Sequence, residues 1–369
     1  MRLYQVKNNC DTQHANSMKR ILNYFTEGFP SRRDVPAGIA GCLHYLRKII
    51  EENPIGLRRI VRFQPLFALA TGILCVTLFR HGFEYIPIVI AFLIFALFTI
   101  TSRVYFITDR KGIIIAIWDM AFMFVLNNLL LFAIPFYVES TTFPSRNMAF
   151  VAILIVIAAA SGWYEIYDRF IAKHPLRSSV FYATTIFSVL NIILPVLFGI
   201  RNIWSLLLSM SISLLVMAAV IYPHIALTKK PTNMAAFALG IIISFTLIWA
   251  GRSAIPPAPL KITRATACNS IEQFRPKDPF MIQRFEQNAD IYFYTSIFAP
   301  RGLKEKIRHV WHHNGRRLFH VSLNEIHGGR KEGFGTWSCH TIREGPGTYT
   351  VDVWTAGGQL LGSGSFTLR

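Results

Sequence analysis

Six of the eleven histidines, His309, His312, His313, His320, His327 and His340, fall within the last 61 residues. In an extended strand alternate side chains share a face, so His309, Trp311 and His313 point one way and His312 the other. Two such imidazoles with His320 from the next strand make a chelating set for Zn²⁺ or Cu²⁺. No acidic or Cys ligand completes a spacing such as HExxH or paired CxxC, so solvated His is the expectation and no metal or other cofactor is assigned. Trp311 and Trp337, with Arg316, Arg317, Arg330 and Lys331 nearby, offer flat aromatic faces for sugar rings and guanidinium groups for phosphate or carboxylate. The competing reading makes both tryptophans core fillers. The ligand-binding candidates are therefore His309, Trp311, His313, Arg330 and Trp337.

A second set is intramembrane. Asp119 lies mid-run in an apolar stretch, with Asn127 and Asn128 two turns further on and Asn191 in a later stretch. A carboxylate at that depth must face protein or water and suggests a proton or ion path, whereas Asn residues there are common helix glue. The stretch GGRKEGFG at 328–335 lacks the order of a phosphate-binding loop, and neither a GxSxG elbow nor a carboxylate pair of assignable spacing occurs, so no catalytic residue is assigned. Cys268 and Cys339, the two cysteines after the last apolar run, are candidates for a disulfide.

The elements that must position these residues follow from hydropathy. The chain has 369 residues, of which 52% are hydrophobic and 16% charged, with mean hydropathy +0.38. That composition describes a membrane protein and excludes disordered, collagen-like and small disulfide-rich classes. Residues 1–62 form a basic lead with an amphipathic helix at 38–52 ended by Pro54. No cleavable signal sequence is evident there, and Met18 is an alternative start. Residues 63–251 hold seven apolar runs, at 63–80, 84–101, 113–136, 148–165, 179–200, 202–222 and 234–251. Each approaches the roughly 20 residues an α-helix needs to cross a bilayer core. Residues 252–288 read as a linker, with IPPAPL a polyproline-like spacer and 269–288 a helix broken at Pro276 and Pro279.

Lysine and arginine counts orient the helices. Arg103, Arg110, Lys111, Arg169, Lys173, Arg177, Lys229 and Lys230 occupy one set of loops, and Arg80, Arg146 and Arg201 the other. Under the positive-inside rule the N-terminus is cytoplasmic and, after seven crossings, the C-terminal domain lies outside. The net charge of +18 divides as +6 over 1–62, +5 over 63–251 and +7 over 252–369, so no single polyanion-binding patch is implied and nucleic acid is not an expected partner.

From residue 289 the pattern changes to period two. Strands are predicted at 290–298, 306–313, 316–324, 335–342, 348–355 and 359–368, separated by His-Asn-Gly, His-Gly-Gly, Glu-Gly-Pro-Gly and Ala-Gly-Gly turns. Six such strands predict an all-β immunoglobulin-like sandwich at 289–369. The ordered motifs Lys304-Glu305-Lys306-Ile307, His309-Val310-Trp311, Gly328-Gly329-Arg330, Trp337-Ser338, Pro346-Gly347, Val351-Asp352-Val353 and Gly358-Gln359-Leu360-Leu361-Gly362 resemble the bacterial domain of unknown function 2914 family. The resemblance covers about 80 residues and implies a small β-domain of bacterial envelope proteins, with no established activity. The expected protein is thus an α-helical polytopic membrane domain of about seven spans followed by the sandwich, in a bacterial inner membrane with the sandwich periplasmic. Its expected partners are the lipid bilayer and an envelope polysaccharide or periplasmic protein. The alternative is a transporter or membrane enzyme working through Asp119.

Overall fold

The computed structural model describes residue 70 and residues 86–105, 113–142, 145–163, 166–226 and 231–369. The basic lead, the first predicted span at 63–80 and Cys10, Cys42 and Cys75 lie outside the described residues. Among the described residues six α-helices follow the apolar runs: α1 (Ile86–Tyr105), α2 (Ile113–Glu139), α3 (Asn147–Ser161), α4 (Pro175–Phe198), α5 (Asn202–Ala226) and α6 (Pro231–Ala250). Four segments, Phe122–Glu139, Pro175–Phe198, Asn202–Ala226 and Thr232–Ala254, are long and apolar enough to cross a membrane, and the apolar stretches Ile86–Thr101 and Asn147–Ser161 are shorter.

Helix limits follow local chemistry. Pro175 opens α4, where its missing N–H is no loss, and Gly199 closes it in the left-handed conformation at φ 61°. A side chain at Gly199 is also blocked from outside, because a Cβ there would stand 2.9 Å from the Gly302 carbonyl of the β-domain. α4 is the central helix, with 72% of its span buried, while α6 buries none of its own. Phe122, Leu126, Leu130, Ile186, Ile192 and Leu206 form the sealed interior.

Polar groups inside this bundle pair helix to helix. The Asn127 amide donates to the Ala158 carbonyl (2.8 Å) and to Ser161 Oγ (2.9 Å), tying α2 to α3. Asn191 Nδ2 donates to Tyr137 Oη (3.1 Å), Tyr137 donates to the Ser188 carbonyl (3.2 Å), and Ser205 Oγ donates to the Asn191 carbonyl (3.2 Å), joining α2, α4 and α5. Asn128 donates to the Phe124 carbonyl one turn back. Asp119 falls in the part of α2 for which the backbone alone is described.

After α6 a single 3₁₀ turn, Gly251–Ala254, leads to Ile255–Leu260, every residue of which is buried. The expected stand-off spacer is therefore a clamped segment, since Ile255, Ala258 and Leu260 carry apolar surface that is removed from water by lying between the two halves of the protein. The following residues are strands, not a broken helix: β1 (Lys261–Glu272), β2 (Arg275–Phe280) and β3 (Ile282–Gln283). Gln273 and Phe274, both at positive φ, form the two-residue turn between β1 and β2. Pro276 and Pro279 are accommodated because β2 is an edge strand, where a missing N–H costs no ladder bond.

The remaining strands, β4 (Asp290–Phe298), β5 (Lys304–His313), β6 (Arg316–His327), β7 (Phe334–Thr341), β8 (Gly347–Thr355) and β9 (Leu360–Leu368), match the predicted six within two residues except at the end of β6. Asn314 and Gly315, at φ 49° and 80°, make the tight turn that the His-Asn-Gly signal announced. One sheet runs β2-β1-β4-β7 and the other β3-β9-β8-β5-β6. They face each other across one core that includes Phe293, Ile307, Trp311, Tyr349, Val351, Val353 and Phe366.

Candidate functional site

Alternation along β5 and β8 decides which residues the site can use. Ile307, His309 and Trp311 point into the core, so Arg308, Val310 and His312 line the outer face; Val351 and Val353 point inward, leaving Asp352 and Trp354 outside. The register places Arg308 beside Trp354 and Val310 beside Asp352, with His312 beside Arg317 on β6. The end of α6 rises against this face, where Arg252 Nε donates to the Gly357 carbonyl of the β8–β9 turn at 3.0 Å and its guanidinium lies 4.6 Å over the Trp249 ring.

Between the sheet and the helix end is a cleft of about 370 Å³ walled by Arg252, Arg308, His312, Arg317, Asp352 and Trp354, a volume in the range of roughly 300–1,000 Å³ common to small-ligand sites. Asp352 is its one carboxylate; it accepts Ser363 Oγ at 2.5 Å and stands 3.8 Å from His312 Nδ1. Among the described residues no carboxylate lies within ion-pair distance of Arg252, Arg308 or Arg317. Arg308 Nε and His312 Nδ1 are buried and have no hydrogen-bond partner. A buried donor without an acceptor, as at Arg308, is costly, and with Arg252 and Arg317 beside it the cleft is electrostatically prepared for an anion.

The cleft persists only while the β-domain stays seated on the helices, and the seam between them is polar and specific. Glu305, 1% exposed, accepts the Asn202 amide at the start of α5 through Oε2 at 2.9 Å, capping that helix from the other domain. Burial pushes the Glu305 carboxyl above the usual carboxylate range, against the lowering effect of the Asn202 and Lys306 amides and Arg201. Around it Arg201 pairs with Glu325 (2.8 Å), Lys261 with Glu139 (3.1 Å), and the Asn147 amide donates to the Leu360 carbonyl (2.7 Å). The ends of α2, α4 and α6 and the starts of α3 and α5 thus all meet the β-domain.

Several expected site residues stand elsewhere. His309 and Trp311 are fully buried: His309 lies between Ser338 Oγ (2.9 Å) and Thr295 Oγ1 (3.1 Å), and Trp311 Nε1 donates to the same Ser338 Oγ (2.9 Å). Neither reaches a ligand at the surface, and burial pushes the His309 pKa down to about 3. His313 stacks on Tyr349 at 4.5 Å beside the β5–β6 turn, Arg330 lies over the Phe334 ring at 4.8 Å, and Trp337 sits 5.9 Å from Phe274 on the four-stranded sheet. The five candidates do not share a surface. His312 and Arg317 do enter the cleft, whereas Arg252, Arg308, Asp352 and Trp354 were missed. Their signal was available in the alternation, whose apolar face in β8 marks Asp352 and Trp354 as outward.

Among the described residues no three His, Cys, Asp or Glu side chains converge as a metal site would require. The candidate disulfide between Cys268 and Cys339 is not formed. Cys268 and Cys339 are free and flank Tyr292 on one register row, two strands apart. Two strand spacings put their Cα atoms roughly 10 Å apart, beyond the roughly 7 Å that a disulfide spans. Burial also pushes the Cys268 thiol up to about 11, opposed by nearby Arg264.

Two family models match the chain, and the boundary between them falls within the β-domain. The protein of unknown function family DUF2914 matches residues 304–368, as its motifs suggested, and no curated protein matches the chain. The family of unknown function DUF5924 matches residues 43–289, which takes in the described helices and also β1–β3. With that match covering more than half of its 369 residues, the chain belongs to the family of unknown function DUF5924.

Proposed function

We propose that this protein is a membrane-integral binding protein whose helices hold a β-domain in one fixed pose at the outer surface, so that an envelope component binds in the cleft both halves build. The observation that carries the reading is that cleft: Arg252 comes from the end of the helical half, while Arg308, Arg317 and Trp354 come from the sheet. The cleft gathers charged and aromatic groups, and binding needs no more than what is present.

In this reading seven helices cross a bacterial inner membrane, the N-terminus is cytoplasmic and the β-domain periplasmic. Loop charge supports that orientation, as does the meeting of alternate helix ends with the β-domain. The β-domain is read as immunoglobulin-like. Support comes from the sheet orders, from buried Trp311 on β5, and from Tyr349 at the start of β8, whose hydroxyl donates to the Gly345 carbonyl at 2.8 Å. The envelope component, expected from sequence to be a polysaccharide or a protein, would place a small charged group in the cleft. Use of Asn127 and Asn191 as links between helices gives a transport path through Asp119 no added support.

The test is a photo-reactive residue replacing Trp354 in cells, with a second replacing exposed Phe274 at the β1–β2 turn of the other sheet. Adducts to an envelope component at 354 and not at 274 are expected; absence of adducts at 354 with the protein correctly inserted overturns the reading.

A further inference from the structure

The chemistry of the cleft narrows what it holds. We propose that it binds a phosphate group, and that the source of this phosphate is the headgroup of an anionic membrane lipid; the proposal rests on reading the cleft as the binding site. Three guanidinium groups, Arg252, Arg308 and Arg317, face one carboxylate, Asp352, which is already engaged by Ser363. A planar fork of N–H donors suits the tetrahedral oxygens of a phosphate ester, which accepts from several donors at once. The buried Arg308 Nε has no hydrogen-bond partner and supplies donor capacity that no protein acceptor uses. Trp354 gives the cleft a flat wall beside these donors.

Position selects the source. The cleft opens at the end of α6, whose span is unburied within the protein and exposes Leu239, Ile242, Ile243 and Leu247. A lipid whose acyl chains run along this apolar surface presents its headgroup at the height of Trp249, Arg252 and Ser253, where aromatic and basic residues anchor membrane helices. A phosphate on a lipid therefore arrives with its hydrocarbon already accommodated, which a soluble phosphate lacks. Arg252 is fixed for this task from the other domain by the Gly357 carbonyl.

The experiment titrates the full chain in detergent, read by native mass spectrometry, with phosphatidylglycerol, phosphatidylcholine, glycerol 3-phosphate and inorganic phosphate as separate probes. Wild type should retain phosphatidylglycerol in preference to phosphatidylcholine, and R308Q/R317Q should weaken that retention about tenfold or more. R343Q, a change to an exposed arginine at the far end, should leave it unaltered, and a melting temperature near wild type confirms that the double variant is folded. Equally tight, Arg-dependent binding of glycerol 3-phosphate or inorganic phosphate would keep the phosphate assignment and move its source to a soluble ester. The proposal is overturned if no phosphate probe binds, or if all bind the double variant as well as wild type. Should that happen while photo-adducts at 354 persist, the ligand class is wrong and the cleft remains the site; loss of both removes the site as well.

Discussion

Replacing Glu305 by alanine should loosen the whole seam, although the residue touches α5 at one amide. Glu305 is 1% exposed and its Oε2 accepts the Asn202 N–H at 2.9 Å. A hydrogen bond to a charged buried acceptor contributes about 1.5–3 kcal/mol, and its loss leaves a helix-terminal donor without a partner. That corresponds to roughly a tenfold to 150-fold fall in the ratio of seated to unseated protein, with the low end favoured because burying the carboxylate itself costs free energy. Hydrogen exchange on the full chain in lipid nanodiscs reads this directly. Protection at residues 199–205 and 356–363 should fall together, because both segments line the seam, while the β5–β8 ladder keeps its protection. Glu305→Gln retains an acceptor without the charge and should fall much less. Because the carboxyl is raised above its unfolded value, the seated state binds the proton more tightly. Its stabilising effect is therefore full below the unfolded pKa and lost as pH rises through the seated one, so seating should tighten toward acid in wild type and lose this dependence in Glu305→Gln. Exchange at 199–205 rising alone, with 356–363 unchanged, would refute a seam that opens as one unit.

Other outcomes follow from the same geometry. Trp311→Ala should cost the β-domain about 3–5 kcal/mol by emptying the core and removing one of the two hydrogen bonds at Ser338, seen as a drop in melting temperature. His309, held neutral with a pKa near 3, should make the β-domain less stable as pH falls below the unfolded value of about 6.5, and His309→Gln should flatten that slope in chemical denaturation. A soluble fragment spanning 260–369 should fold with dispersed amide signals, whereas 289–369 should aggregate, because it lacks β1, which pairs with β4 along seven register positions. Asn127→Ala should weaken the α2–α3 pairing by about 0.6–1.7 kcal/mol, measured as lowered unfolding stability in detergent.

How much of this was legible in the sequence depended on whether a local signal existed. Apolar runs mark helices without ambiguity, since lipid and bundle interior both demand them, and α1–α6 lie where the runs fall. The Asn314-Gly315 turn and the β-branched alternation after 289 likewise announced β4–β9. The strands β1 and β2 escaped because their turn is Gln273-Phe274, two residues that carry no turn signature, and because two prolines in β2 argue against a strand until it is known to be an edge. IPPAPL was misread for a related reason: its composition favours an extended chain, but only the tertiary arrangement shows that the extended chain is buried. The site was half visible. His312 and Arg317 stand out in the sequence and the core-filler reading holds for Trp311, while a surface role for His309 fails because it shares the core face of β5. Arg252 carries no local signal, since its role depends on a hairpin 105 residues away.

The central claim, that the β-domain sits on the helix ends and closes the cleft, is tested most directly by a disulfide across the seam. A Cβ at Gly357 would stand 3.1 Å from that of Ile203, close enough that Ile203→Cys with Gly357→Cys should oxidise with modest adjustment. In native membranes the account predicts near-complete linkage between the two peptides, mapped by mass spectrometry without reductant and lost with it. A pair that stays reduced in folded, membrane-inserted protein under an oxidant would contradict it.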